Sequence, residues 1–223
     1  MTHLAPINPL LFEQGERLTL DEFLTRWEQM PELKFAELID GVVYMPSRLS
    51  FERGRRDNHV QTLLGLYALR TGVCEAISNA SWLMIGNAPQ PDLVLALLPE
   101  FGGGRRLSGK LAAGIPELVL EICGSSRSFD LGPKLAMYQR TGVADDVAVL
   151  LEEQRIEWRK LEAGSYRIQD RDAAGILKSS VFPGLWLNEP AIWCRDSAAM
   201  LDTLEAGLQS EECKAFLARV RRV

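Results

Sequence analysis

Two short apolar runs decide how this chain is read: Pro91-Asp92-Leu93-Val94-Leu95-Ala96-Leu97 and Pro116-Glu117-Leu118-Val119-Leu120-Glu121-Ile122-Cys123. Nearly unbroken leucine and valine between turn residues marks strands buried on both faces. Pro91 stands at the start of its run, where a missing N–H does least harm. Asp92 follows it at once, and Glu121 lies close to the end of the second run. A lone ionised carboxylate in such a setting costs several kcal/mol. Each must therefore be paired, hydrogen-bonded, protonated or bound to a cation. Two carboxylates meeting on adjacent strands, with backbone carbonyls beside them, form an oxygen-rich site suited to Mg²⁺ or Mn²⁺.

The flanking sequence supplies helices for such strands. Thr19-Leu20-Asp21-Glu22 is a capping box that opens a short helix with Leu20, Phe23, Leu24 and Trp27 as its apolar stripe. Asp40-Gly41 between Phe35–Ile39 and Val42–Met45 is a hairpin signal, because both central positions of a type I′ turn need positive φ. Val60, Leu63, Leu64 and Tyr67 recur at helical spacing within a helix from about 51 to 70, stopped by Gly72. Strands are read at 73–78 and 81–85, before the run that begins at Pro91. Phe101-Gly102-Gly103-Gly104-Arg105 reads as a flexible loop. Beyond Glu121 come a helix over 130–141 ended by Gly142, a buried strand at 146–151, an alternating hairpin at 155–161 and 166–169, a turn into a last strand at 182–187, and a helical tail over 196–221. Short buried strands with helices on their faces indicate an α/β fold built on a mixed sheet.

Composition removes several alternatives. The 223 residues are 47% hydrophobic and 25% charged, enough for one α/β domain. No apolar run is long enough to span a bilayer, and the N-terminal stretch does not read as a signal peptide. The scattered Cys74, Cys123, Cys194 and Cys213 form no CxxC, which disfavours a zinc ribbon or a disulfide framework and suits reduced thiols in the cytoplasm. Only His3, in a loose terminus, and His59 are present, so a histidine-rich metal centre is excluded. There is no Walker A motif, no GxSxG elbow and no GxGxxG after a strand. Carboxylates and lysine are the remaining tools. The net charge of −5 counts modestly against a non-specific DNA coater. Arg53, Arg55 and Arg56 cluster locally, as do Arg105, Arg106 and Lys110; both groups are read first as solvated loops. Lys134 falls one turn into the helix after the Glu121 strand, where its ammonium would orient a water or offset transition-state charge. On spacing alone, an exposed helical lysine without a role is the simpler reading.

The ordered set Phe35-Ala36-Glu37-Leu38-Ile39-Asp40-Gly41, His59, Pro91-Asp92-Leu93-Val94, Pro116-Glu117-Leu118-Val119-Leu120-Glu121-Ile122, Asp130…Lys134…Tyr138…Gly142-Val143 and Phe182-Pro183-Gly184-Leu185-Trp186 resembles the Uma2 (DUF820) family of restriction-endonuclease-like proteins. That family belongs to the PD-(D/E)XK nuclease superfamily. The resemblance implies an α-β-β-β-α-β core with an N-terminal β-hairpin, and it covers roughly residues 19–188; the helical tail lies outside it. The chain is thus read as an N-terminal extension (1–18), the nuclease-like domain (19–188) and a C-terminal helical extension packed on the same domain (189–223).

The same resemblance implies that Asp92 and Glu121 bind one metal ion, with the backbone carbonyl of Ile122 as a further ligand. The motif lysine is replaced by Cys123 and has migrated to Lys134. Glu37 would edge the site, and His59 matches a family position on the first helix. Two departures stand out: Ile122-Cys123-Gly124-Ser125-Ser126-Arg127 after the second half-motif, and Ala144–Val149 where the family carries an acidic, aromatic strand. The implied activity is Mg²⁺- or Mn²⁺-dependent hydrolysis of DNA phosphodiesters. The alternatives are a catalytically inactive nuclease-fold protein used for binding or assembly, and a hydrolase of a smaller phosphoester. Exposed strand edges leave a homodimer open.

Overall fold

The structure is a computed structural model that describes residues 11–45, 51–124 and 126–222, without the side chains of 51–58. His3, most of the N-terminal extension, Ser125 and the side chains of Arg53, Arg55 and Arg56 lie outside the described residues.

Helix α1 (Leu20–Glu28) starts at the capping box, with Thr19 and Glu22 bonding reciprocally. The hairpin β1 (Glu37–Ile39) and β2 (Val42–Tyr44) turns through Asp40 and Gly41 at φ 51° and 72°, the two positive values of a type I′ turn. A long helix α2 (Phe51–Thr71) leads into β3 (Cys74–Ser78). Then come β4 (Trp82–Leu83), β5 (Leu93–Leu97), β6 (Arg106–Ser108), β7 (Leu111–Ala113) and β8 (Leu118–Cys123). A kinked helix follows: α3 (Arg127–Phe129), a π-helical turn over Asp130–Lys134 that contains Pro133, and α4 (Leu135–Thr141). The chain continues through β9 (Asp145–Leu150), β10 (Arg155–Glu162), β11 (Ser165–Ile168), β12 (Ile176–Lys178), β13 (Trp186–Asn188), α5 (Glu189–Cys194), α6 (Ser197–Leu208) and α7 (Glu211–Val220).

The main sheet has the order β11-β10-β9-β8-β5-β3, and β8 and β9 are its parallel pair. The α-β-β-β-α-β core is therefore α2, β3, β5, β8, the kinked helix and β9. Period-two alternation divides the sheet's side chains. Leu93, Leu95, Leu118, Leu120, Val147 and Val149 pack with Val60, Leu64 and Tyr67 of α2 and with Met200, Leu204 and Phe216 of the C-terminal helices. Val94, Ala96 and Val119 face the other way, toward Met137 and Tyr138 of α4 and Ile39 of the hairpin.

Three sequence expectations are corrected. The strand read at 81–85 shrinks to Trp82–Leu83 and leaves the main sheet, pairing in parallel with β7 instead. The stretch after the glycine run is a hairpin, β6 with β7, where only a loop was foreseen. The run itself packs closely at Gly103. A Cβ on Gly103 would lie 1.9 Å from the Leu97 carbonyl oxygen, so the backbone hugs the end of β5. The last strand, β13, also has an antiparallel partner that the reading passed over, β12.

Candidate active site

The β5–β8 ladder pairs Leu95 with Leu118, Val94 with Val119 and Leu93 with Leu120. One further step brings Asp92 across from Glu121, on the face shared by Val94 and Val119. There the backbone ladder gives way to a side chain: the Ile122 N–H donates to Asp92 Oδ2 at 2.7 Å. Asp92 is 9% exposed and Glu121 3%. Ile122 thus touches Asp92 through its amide, while its carbonyl belongs to the same strand end.

Lys134 comes to this pair from above. Far from being an exposed helical lysine, it is 2% exposed. Its Nζ lies 2.9 Å from Glu121 Oε1 and 3.0 Å from Glu37 Oε2, and it donates to the Gln90 carbonyl at 3.2 Å. Glu37 Oε2 also accepts the Gln90 N–H at 2.9 Å. The hairpin therefore supplies one wall, and the residues just before Asp92 are tied to it. Tyr138, four residues after Lys134 and on the same helix face, donates its hydroxyl to Glu121 Oε1 at 2.7 Å. Asp130 completes the acidic surroundings and accepts from the Ser126 hydroxyl. Phe129 lies 5.8 Å from the Lys134 ammonium and packs on Tyr44 at 4.2 Å between ring centroids.

Four carboxylates, those of Glu37, Asp92, Glu121 and Asp130, therefore surround one ammonium. Burial pushes Glu121 well above the usual carboxylate range, although Lys134 opposes that rise. Burial also lifts Asp130 to about 6. For Lys134, burial pulls downward, but the fields of Glu121 and Glu37 more than offset it, and the ammonium stays charged. Burial first, and then Glu121, raise Tyr138, which keeps its proton to donate. Further along the same face, Asp146 lies beside Val119 and holds Arg159 at 2.8 Å, and Glu157 takes the other side of that guanidinium.

Among the described residues no group of three or more His, Cys, Asp or Glu side chains is disposed as a metal cage. The donor set is instead two opposed carboxylates beside a strand end, all oxygen, in surroundings with more negative than positive groups. That chemistry fits a hard divalent cation that keeps several of its own waters, as Mg²⁺ does.

The structure brings together Asp92, Glu121, Lys134 and Glu37, with Ile122 alongside. His59 is half-buried on α2, which packs on the opposite face of the sheet, and no described hydrogen bond joins it to the others. Sequence reasoning assigned no role to Tyr138, Asp130 or Gln90. The spacing of Asp130, Lys134 and Tyr138 by four was a visible signal, since it puts three polar groups on one helix face. Gln90 acts through its main chain, for which no side-chain signal exists.

The chain matches the model of the Uma2 family, described as "Putative restriction endonuclease", over residues 20–189. No curated protein matches it. Among solved structures it is similar to the crystal structure of "a putative nuclease belonging to DUF820 from Anabaena variabilis ATCC 29413", with a TM-score of 0.62 and 14% identity. That alignment covers 79% of this chain and 98% of the other.

Proposed function

Because the chain belongs to the Uma2 family, we propose that it is a metal-dependent endonuclease that hydrolyses DNA phosphodiester bonds. The observation that carries this reading is the placement of Asp92 opposite Glu121 at the end of the β5–β8 ladder, with the buried ammonium of Lys134 against Glu121. Asp92 and Glu121, with the Ile122 carbonyl, would hold Mg²⁺ or Mn²⁺. When bound, such an ion polarises a phosphate and lowers the pKa of its water.

The chain's own residues do the rest. Lys134 presents fixed positive charge where negative charge grows on the phosphate, and its burial makes that charge count for more than in water. Glu37 and the Gln90 carbonyl hold the ammonium so that it need not reorganise during reaction. The Ile122 N–H fixes the Asp92 carboxylate. Among the described residues no helix is long and apolar enough to cross a membrane. The four cysteines are free, which suits the reducing cytoplasm, where DNA is present.

The depth of the site favours a second reading. Asp92, the most exposed of the three principal residues, shows 9% of its surface. A smaller phosphoester would reach it more readily than a duplex. One experiment separates the readings: incubation with plasmid DNA, single-stranded DNA and a small aryl phosphodiester, with Mg²⁺ or Mn²⁺, beside Asp92→Ala and Glu121→Ala. Metal-dependent cleavage of DNA that is lost in both variants supports the endonuclease. Cleavage that survives both substitutions refutes the site. Turnover of the small ester alone points to the second reading.

A further inference from the structure

We propose that Tyr138 is a positioning residue for Glu121, holding that carboxylate in the orientation in which it takes a metal ion; the proposal rests on the metal-dependent reading above. Tyr138 is fully buried, and its hydroxyl donates to Glu121 Oε1 at 2.7 Å. Lys134 approaches the same oxygen at 2.9 Å. A hydroxyl donor and an ion-paired ammonium thus converge from one helix face on one carboxylate oxygen. Rotation of the carboxylate about its terminal bond would break both contacts at once. Oε1 is therefore taken up by the helix, and Oε2 is the oxygen that would face a metal ion.

Lys134 cannot do this alone. Its ammonium is shared among Glu121, Glu37 and the Gln90 carbonyl, so only part of its interaction is directed at Glu121. The tyrosine hydroxyl is borne on a fully buried ring, in the cluster that also holds Met137, Val143 and Val119, and Glu121 is its bonded acceptor. Outer partners that orient a ligating carboxylate typically contribute roughly 10- to 100-fold in metal affinity or activity.

Tyr138→Phe removes the hydroxyl and keeps the ring that fills the core. With the fold retained, as read from the thermal unfolding midpoint, the Mn²⁺ dissociation constant measured by calorimetry should rise about 10-fold. In DNA cleavage kcat should fall while KM for DNA holds, because no substrate contact is removed. A second measurement needs no deletion. 3-Fluorotyrosine at position 138 should show a ¹⁹F resonance that moves when Mg²⁺ is added and stays still in a Glu121→Gln background.

Wild-type Mn²⁺ affinity and kcat in Tyr138→Phe would overturn the assignment. A ¹⁹F signal indifferent to Mg²⁺ would do the same. If Asp92→Ala abolishes Mn²⁺ binding and cleavage while Tyr138→Phe changes neither, the nuclease reading stands and the role of Tyr138 falls. If the wild-type protein binds no Mn²⁺, the metal-dependent reading fails and this assignment fails with it.

Discussion

At the scale of the residue, Lys134 is where sequence and structure part most sharply. Its position in the chain is that of an ordinary surface lysine, and only the family resemblance marked it. Asp92 and Glu121 were legible without help, because carboxylates set in leucine and valine runs need a partner. The partner was not legible, since the turn that carries Lys134 inward is a π-helical kink around Gly132 and Pro133. Removing the lysine charge leaves Glu37 and Glu121 buried without their cation. Lys134→Met should therefore cost about 3–5 kcal/mol, the usual penalty for breaking a buried pair from one side. Adding Glu121→Gln should recover part of it. Urea denaturation of the single and double variants checks this, and a double variant no more stable than Lys134→Met would contradict it. Asp130 carries a pH dependence of definite sign. Burial raises its folded-state value from 3.8 to about 6, so the folded protein binds this proton more tightly than the unfolded chain. Stability should therefore fall as pH rises from about 4 to about 6, by on the order of 1 to 3 kcal/mol from this group. Asp130→Asn should flatten that part of the stability–pH curve.

At the scale of the element, what could be read depended on whether a segment declares itself through periodicity. Helix α2, strands β5, β8 and β9, and the β1–β2 turn all do. The β6–β7 hairpin and the short β12 do not: Arg106–Ser108 is exposed throughout, so it lacks the apolar alternation by which strands are recognised. Its neighbour, the glycine run, looked mobile because glycine frequency says nothing of close approach to another backbone. The β1–β2 hairpin matters to the site because Glu37, on β1, pairs across to Tyr44 on β2 and reaches Lys134 from there. Gly41 sits at φ 72°, and a Cβ there would meet the Leu18 carbonyl oxygen at 3.3 Å. Gly41→Ala should cost about 1–2 kcal/mol. It should also loosen Glu37, so that Mn²⁺ affinity or DNA cleavage changes more than at Gly15→Ala, a positive-φ glycine with open space around it. Equal effects of the two substitutions on Mn²⁺ affinity would argue that the hairpin is no wall of the site.

At the scale of the whole molecule, the C-terminal helices belong to the main core. Met200 and Leu204 of α6, with Phe216 and Val220 of α7, are buried in the cluster that holds α2 and one face of the main sheet. Asn188, Asp196 and Ser210 cap the three C-terminal helices in turn, so each begins where its sequence dictates. Further ties cross the same seam: Arg221 donates to the Thr71 carbonyl, and Glu189 accepts the Ile156 N–H of β10. Burying each large apolar side chain contributes roughly 1.5–3 kcal/mol. Four of them amount to about 6–12 kcal/mol, as much as the whole net stability of a typical domain, about 5–15 kcal/mol. Residues 1–195 alone should therefore not hold the fold, although the family match ends at 189 and every candidate site residue lies before that point. The expected result is a truncated protein with poor NMR dispersion and no cooperative thermal transition. For the full chain, unfolding followed by tryptophan fluorescence and by far-UV circular dichroism should coincide, as one cooperative unit requires. A folded, metal-binding 1–195 fragment would show instead that the tail is a separate appendage, and that the sheet keeps its carboxylates in place without it.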